Sequence, residues 1–203
     1  MRDEAMSEGE GLLRVEGPRL GHVHEVVDLL NDFEHAYNNF YVFESLVNST
    51  EKPESAYIYS RRTPKFSLVA KSKVASFVLP EDKLRLHRIE FNSPGFWEFM
   101  GALNPLEVMR KWVADHHERR KDRDYRESLE AERLYLENEK LKTEVVRDQV
   151  ALLRENGVPE EKIREALTQY IVEPLTRLER HQDAGMIGGA RLSSVTPGEQ
   201  NVQ

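Results

Sequence analysis

A run of potential metal ligands, D-H-H-E, occupies residues 115–118. Neighbouring positions of a helix point about 100° apart, and a helical metal site needs ligands three or four positions apart, as in the H-E-x-x-H pattern. At those offsets the two histidines meet only Arg119, Arg120 and Lys121. The spacing therefore favours a solvated helix surface, and we predict no metal site.

Three further histidines, His22, His24 and His35, lie at or within a predicted helix near the N-terminus. No nucleophilic serine in a glycine-rich elbow accompanies them. The sequence also contains no phosphate-binding glycine loop, no dinucleotide-binding glycine fingerprint and no calcium-binding loop. We therefore predict a non-enzymatic protein that needs no cofactor.

The sequence contains no cysteine, which excludes disulfide bonds, thiolate nucleophiles and thiolate metal sites. This composition is compatible with a reducing compartment. No window approaches the roughly 20 apolar residues of a membrane-spanning helix, and the acidic N-terminal residues do not resemble a secretory signal. We therefore predict a cytoplasmic protein that is soluble or, at most, peripheral to a membrane.

The formal net charge of −7 is unevenly distributed. Residues 1–34 carry nine acidic and three basic residues, whereas residues 55–80 carry five basic residues and no acidic one. Aromatic residues are interleaved with these cations, as on surfaces that stack the bases and contact the phosphates of single-stranded nucleic acids. Lysines that protect an edge strand from aggregation would give the same pattern. The candidate residues for an anionic partner are Arg61, Arg62, Lys65, Lys71 and Lys73.

The elements that would position these side chains are those of an α+β fold with a small, mainly antiparallel sheet. The apolar run at residues 12–15 suits a first strand. Apolar residues then recur at steps of three and four from Val23 to Tyr41, which predicts one amphipathic helix packed on the sheet.

The region between Ser55 and Phe91 is rich in β-branched and aromatic residues and predicts three strands. A tight turn at residues 80–83 should pair the second strand with the third in an antiparallel hairpin. The apolar phase changes within the third strand, so we expect a bulge near His87 and Arg88. The predicted strands cover about residues 56–60, 66–77 with an interruption at 71–73, and 84–91.

The most concentrated apolar stretch in the sequence is residues 96–103. Packing beneath the sheet, contact with another protein and shallow insertion into a membrane are all compatible with it. Its candidate interface residues are Phe96, Trp97 and Phe99.

One long helix is predicted to begin at Pro105, because no further proline or glycine occurs before Gly157. At 1.5 Å per residue it would span roughly 78 Å. Gly157 and Pro159 then predict a stop and a new start, so a return helix would form a protruding, coiled-coil-like hairpin, with a kink or break at Pro174. The predicted interface stripe of the hairpin comprises Leu129, Leu134, Leu136, Leu141, Val145 and Leu152.

These patterns divide the chain into four parts. The predicted parts are a flexible acidic tail at residues 1–11, a small α+β domain at 12–104, the helical hairpin at 105–183 and a flexible tail at 184–203.

The run R-I-E-F-N-S-P-G-F-W-E-F-M at residues 88–100, followed by a long charged helix, gives the chain a resemblance to a group of uncharacterised bacterial proteins. In that group a strand-rich domain ends in an S-P turn and leads through an apolar patch into a coiled coil. The resemblance covers about a third of the chain. It implies a coiled-coil protein, in some cases an accessory part of a bacterial conflict or signalling system, and it transfers no functional residue.

The sequence thus favours an adaptor or self-assembling module whose helical hairpin contacts a second copy or another helical protein. The alternative is a protein that binds nucleic acid or an anionic membrane surface through residues 55–80.

Overall fold

The computed structural model describes residues 9–17, 22–51, 66–90, 95–121 and 144–194. They form an α+β fold, as the sequence predicts. The strands are β1 (Glu10–Gly17), β2 (Arg85–Glu90), β3 (Gly95–Ala102) and β4 (Ala190–Ser194). The α-helices are α1 (Val23–Glu51), α2 (Val74–Phe77), α3 (Leu103–Lys121), α4 (Glu144–Glu155), α5 (Glu160–Leu167) and α6 (Glu173–Asp183). Shorter helical turns cover Lys71–Lys73, Pro80–Asp82 and, with π geometry, Thr168–Val172.

The four strands form one antiparallel sheet with the order β2-β3-β1-β4. In the described residues, and apart from the short α2, the element order is one strand, one helix, two strands, several helices and a last strand. This element order and strand order are those of the ferredoxin-like, split β-α-β arrangement. The helical region between β3 and β4 is enlarged here by α4, α5 and α6.

Alternation along the two central strands places one face of the sheet against the helices. Leu13 and Val15 of β1 are fully buried, and their cross-strand neighbours on β3 are Phe99 and Trp97. Phe33 of α1 stacks on Phe99 with 4.6 Å between ring centroids. The first predicted strand and the amphipathic helix are therefore confirmed as β1 and α1. The strand predicted at residues 84–91 is confirmed as β2.

The expected bulge in β2 is confirmed as well. Leu86 pairs with Phe99 and Arg88 pairs with Glu98, so His87 is the additional residue. The extra residue lets Leu86 and Ile89 both point toward the helices, although three positions separate them.

The second predicted strand, at residues 66–77, is wrong. Val74 and Val78 lie four positions apart and are both buried, whereas the residues between them are exposed, which is the pattern of a helical turn. The predicted hairpin is consequently wrong, and β2 pairs with β3 instead. The strand predicted at residues 56–60 lies outside the described residues.

The hydrophobic core crosses the predicted domain boundary at residue 104. Val150 and Leu153 of α4, Ile163 of α5 and Leu178 of α6 belong to the same buried cluster as the sheet residues. Beyond the turn that follows α4, the chain packs against α1 through the π-helical turn and α6. In the described residues, the return helix is thus part of the α+β core.

The helix stop and the proline were predicted, and the structure shows how each is accommodated. Gly157 adopts the left-handed conformation with a φ of 73°, which confirms the stop. Pro174 falls in the first turn of α6, immediately after the π-helical turn. A π-helical turn changes the local hydrogen-bond pattern, so the proline follows an irregular turn between two helices.

Both predicted tails contribute to the sheet, which corrects those assignments. Glu10 and Gly11 begin β1, and β4 pairs antiparallel with β1 from Ala190 to Ser194. Just before β4, Met186 and Ile187 are buried. Main-chain groups of β1 would otherwise lie unpaired along an edge, and β4 satisfies them.

Candidate functional site

Two residues of the predicted interface stripe, Val145 and Leu152, lie on α4 in the described part of the chain. Both are half-buried and line a groove of about 500 Å³. Leu129, Leu134, Leu136 and Leu141 belong to residues 122–143 and lie outside the described residues. The groove is therefore lined in part by residues of the predicted interface stripe.

The groove lies between α4, the C-terminal half of α1 and the first turn of α3. Val145, Gln149 and Leu152 recur at steps of four and three on α4 and so share one side of the helix. The Asn156 side chain, just beyond α4, donates a hydrogen bond to Thr50 Oγ1 of α1 over 3.2 Å. This contact holds the C-terminal end of α4 close to the end of α1.

Carboxylates dominate the electrostatics of the groove. Glu44, Asp148 and Glu155 line it, and the described lining residues include no lysine, arginine or histidine. Glu44 is buried, and Asn104 Nδ2 donates a hydrogen bond to its Oε1 over 2.5 Å. Valine and leucine side chains line the same groove as these acids, so it can accept an aliphatic side chain that has a cation beside it.

Phe96, Trp97 and Phe99 do not form an exposed interface, which corrects their assignment. All three are at most 4% exposed and lie on the central strand β3. Trp97 and Phe99 face the helices. Phe96 faces the opposite side, where the Arg14 guanidinium carbon lies 3.4 Å from its ring centroid.

The predicted anionic-partner surface is described only at Lys71 and Lys73. Both are exposed on the helical turn Lys71–Lys73, where an interruption of the second predicted strand was expected. Lys71 Nζ binds Glu173 Oε1 of α6 over 2.7 Å. Arg61, Arg62 and Lys65 lie outside the described residues.

A polar contact that the sequence gives no sign of joins α1 to α6. His181 Nε2 lies 2.9 Å from Asp32 Oδ2, and 149 positions separate the two residues in the chain. On the same side of α1, burial is the main cause of a lowered pKa at His35. A depression of about 360 Å³ beside the pair is lined by Asp28, Asn31 and Arg180 as well.

The described residues contain no group of three or more histidine or acidic side chains placed to hold a metal ion. The contact between His181 and Asp32 is thus best explained as a polar link between two packed helices.

Comparisons of this chain with protein-family models, with curated proteins and with solved structures give no match. In the part of the chain that the structure describes, none of the helices combines the length and the apolar character required to cross a bilayer.

Proposed function

We propose that this protein is a non-enzymatic adaptor that binds a partner protein through the groove between α1 and α4. The observation that carries the proposal is the composition of the groove, which combines half-buried aliphatic side chains with three carboxylates. Its volume of about 500 Å³ is comparable to that of small-molecule pockets, roughly 300 to 1,000 Å³, so it has room for the anchoring side chains of a partner.

The occupant that fits this groove is an amphipathic helix of a partner protein. Such a helix presents anchors at positions i, i+3, i+4 and i+7 along one side. Aliphatic anchors would contact Val145 and Leu152, while lysine or arginine residues beside them would meet Asp148 and Glu155. Both carboxylates are exposed and form no ion pair with a described residue, so they are available to a partner.

The proposal retains the predicted interface stripe as a larger binding surface. Leu129, Leu134, Leu136 and Leu141 would extend the stripe that Val145 and Leu152 begin. A second copy that uses this stripe would make the same module self-assembling.

A pair of designed peptides tests the proposal. One is a fluorescent helix of about 18 residues, roughly 27 Å long, with leucine on one face and lysine on the other; its match carries glutamate in place of lysine. We expect the lysine peptide to increase in fluorescence anisotropy with added protein and the glutamate peptide not to do so. Because the rim contacts are ionic, added salt should weaken the binding.

A charge-reversed groove supplies the matched control. Asp148→Lys combined with Glu155→Lys should weaken binding of the lysine peptide by about tenfold or more. Glu34→Lys combined with Glu81→Lys changes the net charge equally at exposed positions that do not line the groove, and should have little effect. Equal binding of the two peptides, or equal weakening by the two double variants, would refute a groove that selects a cationic helix.

A further inference from the structure

The face of the sheet that points away from the helices is charged and exposed. Arg14 and Glu16 on β1, Arg88 on β2 and Arg191 on β4 are all exposed there. The only aromatic side chain of the described sheet on this face is Phe96, which is covered by Arg14 at 3.4 Å and approached by Arg88 at 5.4 Å.

The strand registers arrange these side chains in rows across the sheet. One row carries three arginines and one glutamate, a net charge of +2. The adjacent row, one pleat further along β1, carries two glutamates and Phe96, a net charge of −2. The first row is Arg88, Glu98, Arg14 and Arg191, and the second is Glu90, Phe96 and Glu16.

The arginine row contains an unfavourable contact within the monomer. Arg14 and Arg191 are direct cross-strand neighbours, and like charges in that relation destabilise a sheet. Arg14 forms no ion pair with a described residue, and the Arg191 side chain, 84% exposed, reaches Glu16 Oε1 only at 3.7 Å. Arg88 already binds Glu90 of the neighbouring row over 3.2 Å. Arg14 is therefore the arginine of this row that no ion pair with a described residue compensates.

We infer that a second copy of this chain docks face to face on this side of the sheet. A two-fold axis that runs parallel to the rows and between them would place the arginine row of each copy over the glutamate row of the other. Arg14 would then meet Glu16 of the other copy, and Arg88 would meet Glu90. Because both copies contribute the same residues, the contact closes as a symmetric dimer. The inference uses a different surface from the groove and goes beyond the proposed function.

The size of the face sets the expected strength of the dimer. Four strands about 4.8 Å apart and two rows about 7 Å apart give a projected area of roughly 270 Å² per copy. Stable protein interfaces bury about 800 Å² per partner. We therefore expect a weak dimer, with a dissociation constant in the micromolar range or above, that dissociates as salt is added.

Sedimentation equilibrium with a charge swap tests this arrangement. At low salt and a protein concentration of about 0.5 mM, wild-type protein should show a mass above that of the monomer. Arg14→Glu alone sets a carboxylate at position 14 against Glu16 of the other copy and lowers the net charge of its row from +2 to 0. Glu16→Arg alone sets a guanidinium at position 16 against Arg14 of the other copy and raises the net charge of its row from −2 to 0. Each variant should therefore sediment as a monomer. In an equimolar mixture the new glutamate at position 14 faces the new arginine at position 16, and association should return.

Arg164→Glu on α5 changes the charge equally at an exposed site away from the sheet and should leave association unchanged. Circular dichroism of each variant establishes that it is folded. Wild-type protein that is monomeric under these conditions overturns the inference, as does a mixture that associates no more than its components. Either result leaves peptide binding by the groove untouched, because the two surfaces are tested separately.

Discussion

Tyr37 links three parts of the fold through a single hydroxyl. It donates a hydrogen bond to the carbonyl oxygen of Asp82 over 2.8 Å and accepts one from the Ala102 N–H over 2.8 Å. Gly101 makes room for the ring, because a Cβ at that position would lie 2.7 Å from Tyr37 Cε2. The neighbouring Tyr41 donates to Asp82 Oδ2 over 2.8 Å. These bonds join the turn before β2 to α1 and to the end of β3.

Alkaline solution should destabilise the protein through Tyr37. Burial raises the pKa of its hydroxyl from 10.0 to about 12. Below pH 10 the hydroxyl is protonated in both the folded and the unfolded state. Between about pH 10 and 12 the unfolded chain loses the proton while the folded chain retains it, so the free energy of unfolding falls as the pH rises. Urea unfolding at a series of pH values measures this slope.

Tyr37→Phe should make the alkaline slope shallower. The slope should not vanish, because burial also raises the pKa of Tyr41 and of Tyr170. The variant should also cost about 1 to 3 kcal/mol at neutral pH, since the Ala102 N–H loses its partner. If wild type and variant had the same slope, the assignment of this titration to Tyr37 would be wrong.

At the scale of elements, the position of β4 depends on contacts with residues that lie far from it in the sequence. Leu192 is half-buried opposite Leu13, whereas Arg191 lies on the exposed face of the same strand. Gly11 leaves room for Leu192 next to Leu103 and Leu106, because a Cβ there would lie within 3.4 Å of all three side chains. β4 thus adds an apolar residue to the core beneath the edge of the sheet.

Leu192→Asp should destabilise the protein by about 2 kcal/mol or more, because it places a carboxylate among these leucines. Arg191→Asp introduces the same residue on the solvent side and should change the free energy of unfolding by no more than about 0.5 kcal/mol. Chemical denaturation of the two variants side by side makes the comparison. Equal losses would contradict the assigned faces of β4.

The predictable elements are those whose signal is local. The helix α1 follows from apolar residues at steps of three and four, and the bulge in β2 follows from the phases of Leu86 and Ile89. The sequence misleads at residues 74–78, because valine and phenylalanine there suggest a strand while the spacing of the buried valines is helical. The sequence contains no local signal for β4, because the pairing of Leu192 with Leu13 depends on a distant part of the chain.

The candidate site shows the same limit. The apolar stripe in the sequence predicts Val145 and Leu152 as interface residues, and the structure places both beside the groove. The acidic character of that groove comes partly from Glu44 on α1, roughly 100 positions earlier in the chain. Only the packing of α4 on α1 brings these residues together, and no local pattern encodes that packing.

At the scale of the molecule, one core joins the two halves of the chain. Phe43 of α1 lies 6.1 Å from the ring of Tyr170, and the Tyr170 hydroxyl accepts a hydrogen bond from the Val69 N–H over 2.7 Å. Lys71 forms an ion pair with Glu173, which also joins the first half of the chain to the second. The helices after residue 144 therefore cover apolar surface that the earlier residues would otherwise expose to water.

A fragment comprising residues 9–104 should consequently fail to fold. Without α4 to α6, the side of α1 that carries Phe43 loses its apolar partners, and too little surface is buried to offset the conformational entropy. We expect the fragment to lack a cooperative thermal transition by circular dichroism. The full chain should unfold in one transition seen alike by helicity and by tryptophan fluorescence. A fragment that melts cooperatively would show that the first half is an independent domain.

The position of β1 between β3 and β4 has a consequence for biosynthesis. A ribosome releases β1 early, yet roughly 180 residues separate Gly11 from its partner Ser194, and contacts of such separation form slowly. Until the last strand is translated, the amide and carbonyl groups along the outer edge of β1 have no partner strand. Translation that stalls before residue 190 would leave an aggregation-prone intermediate. Chaperones that bind it and proteases that degrade it would compete for it.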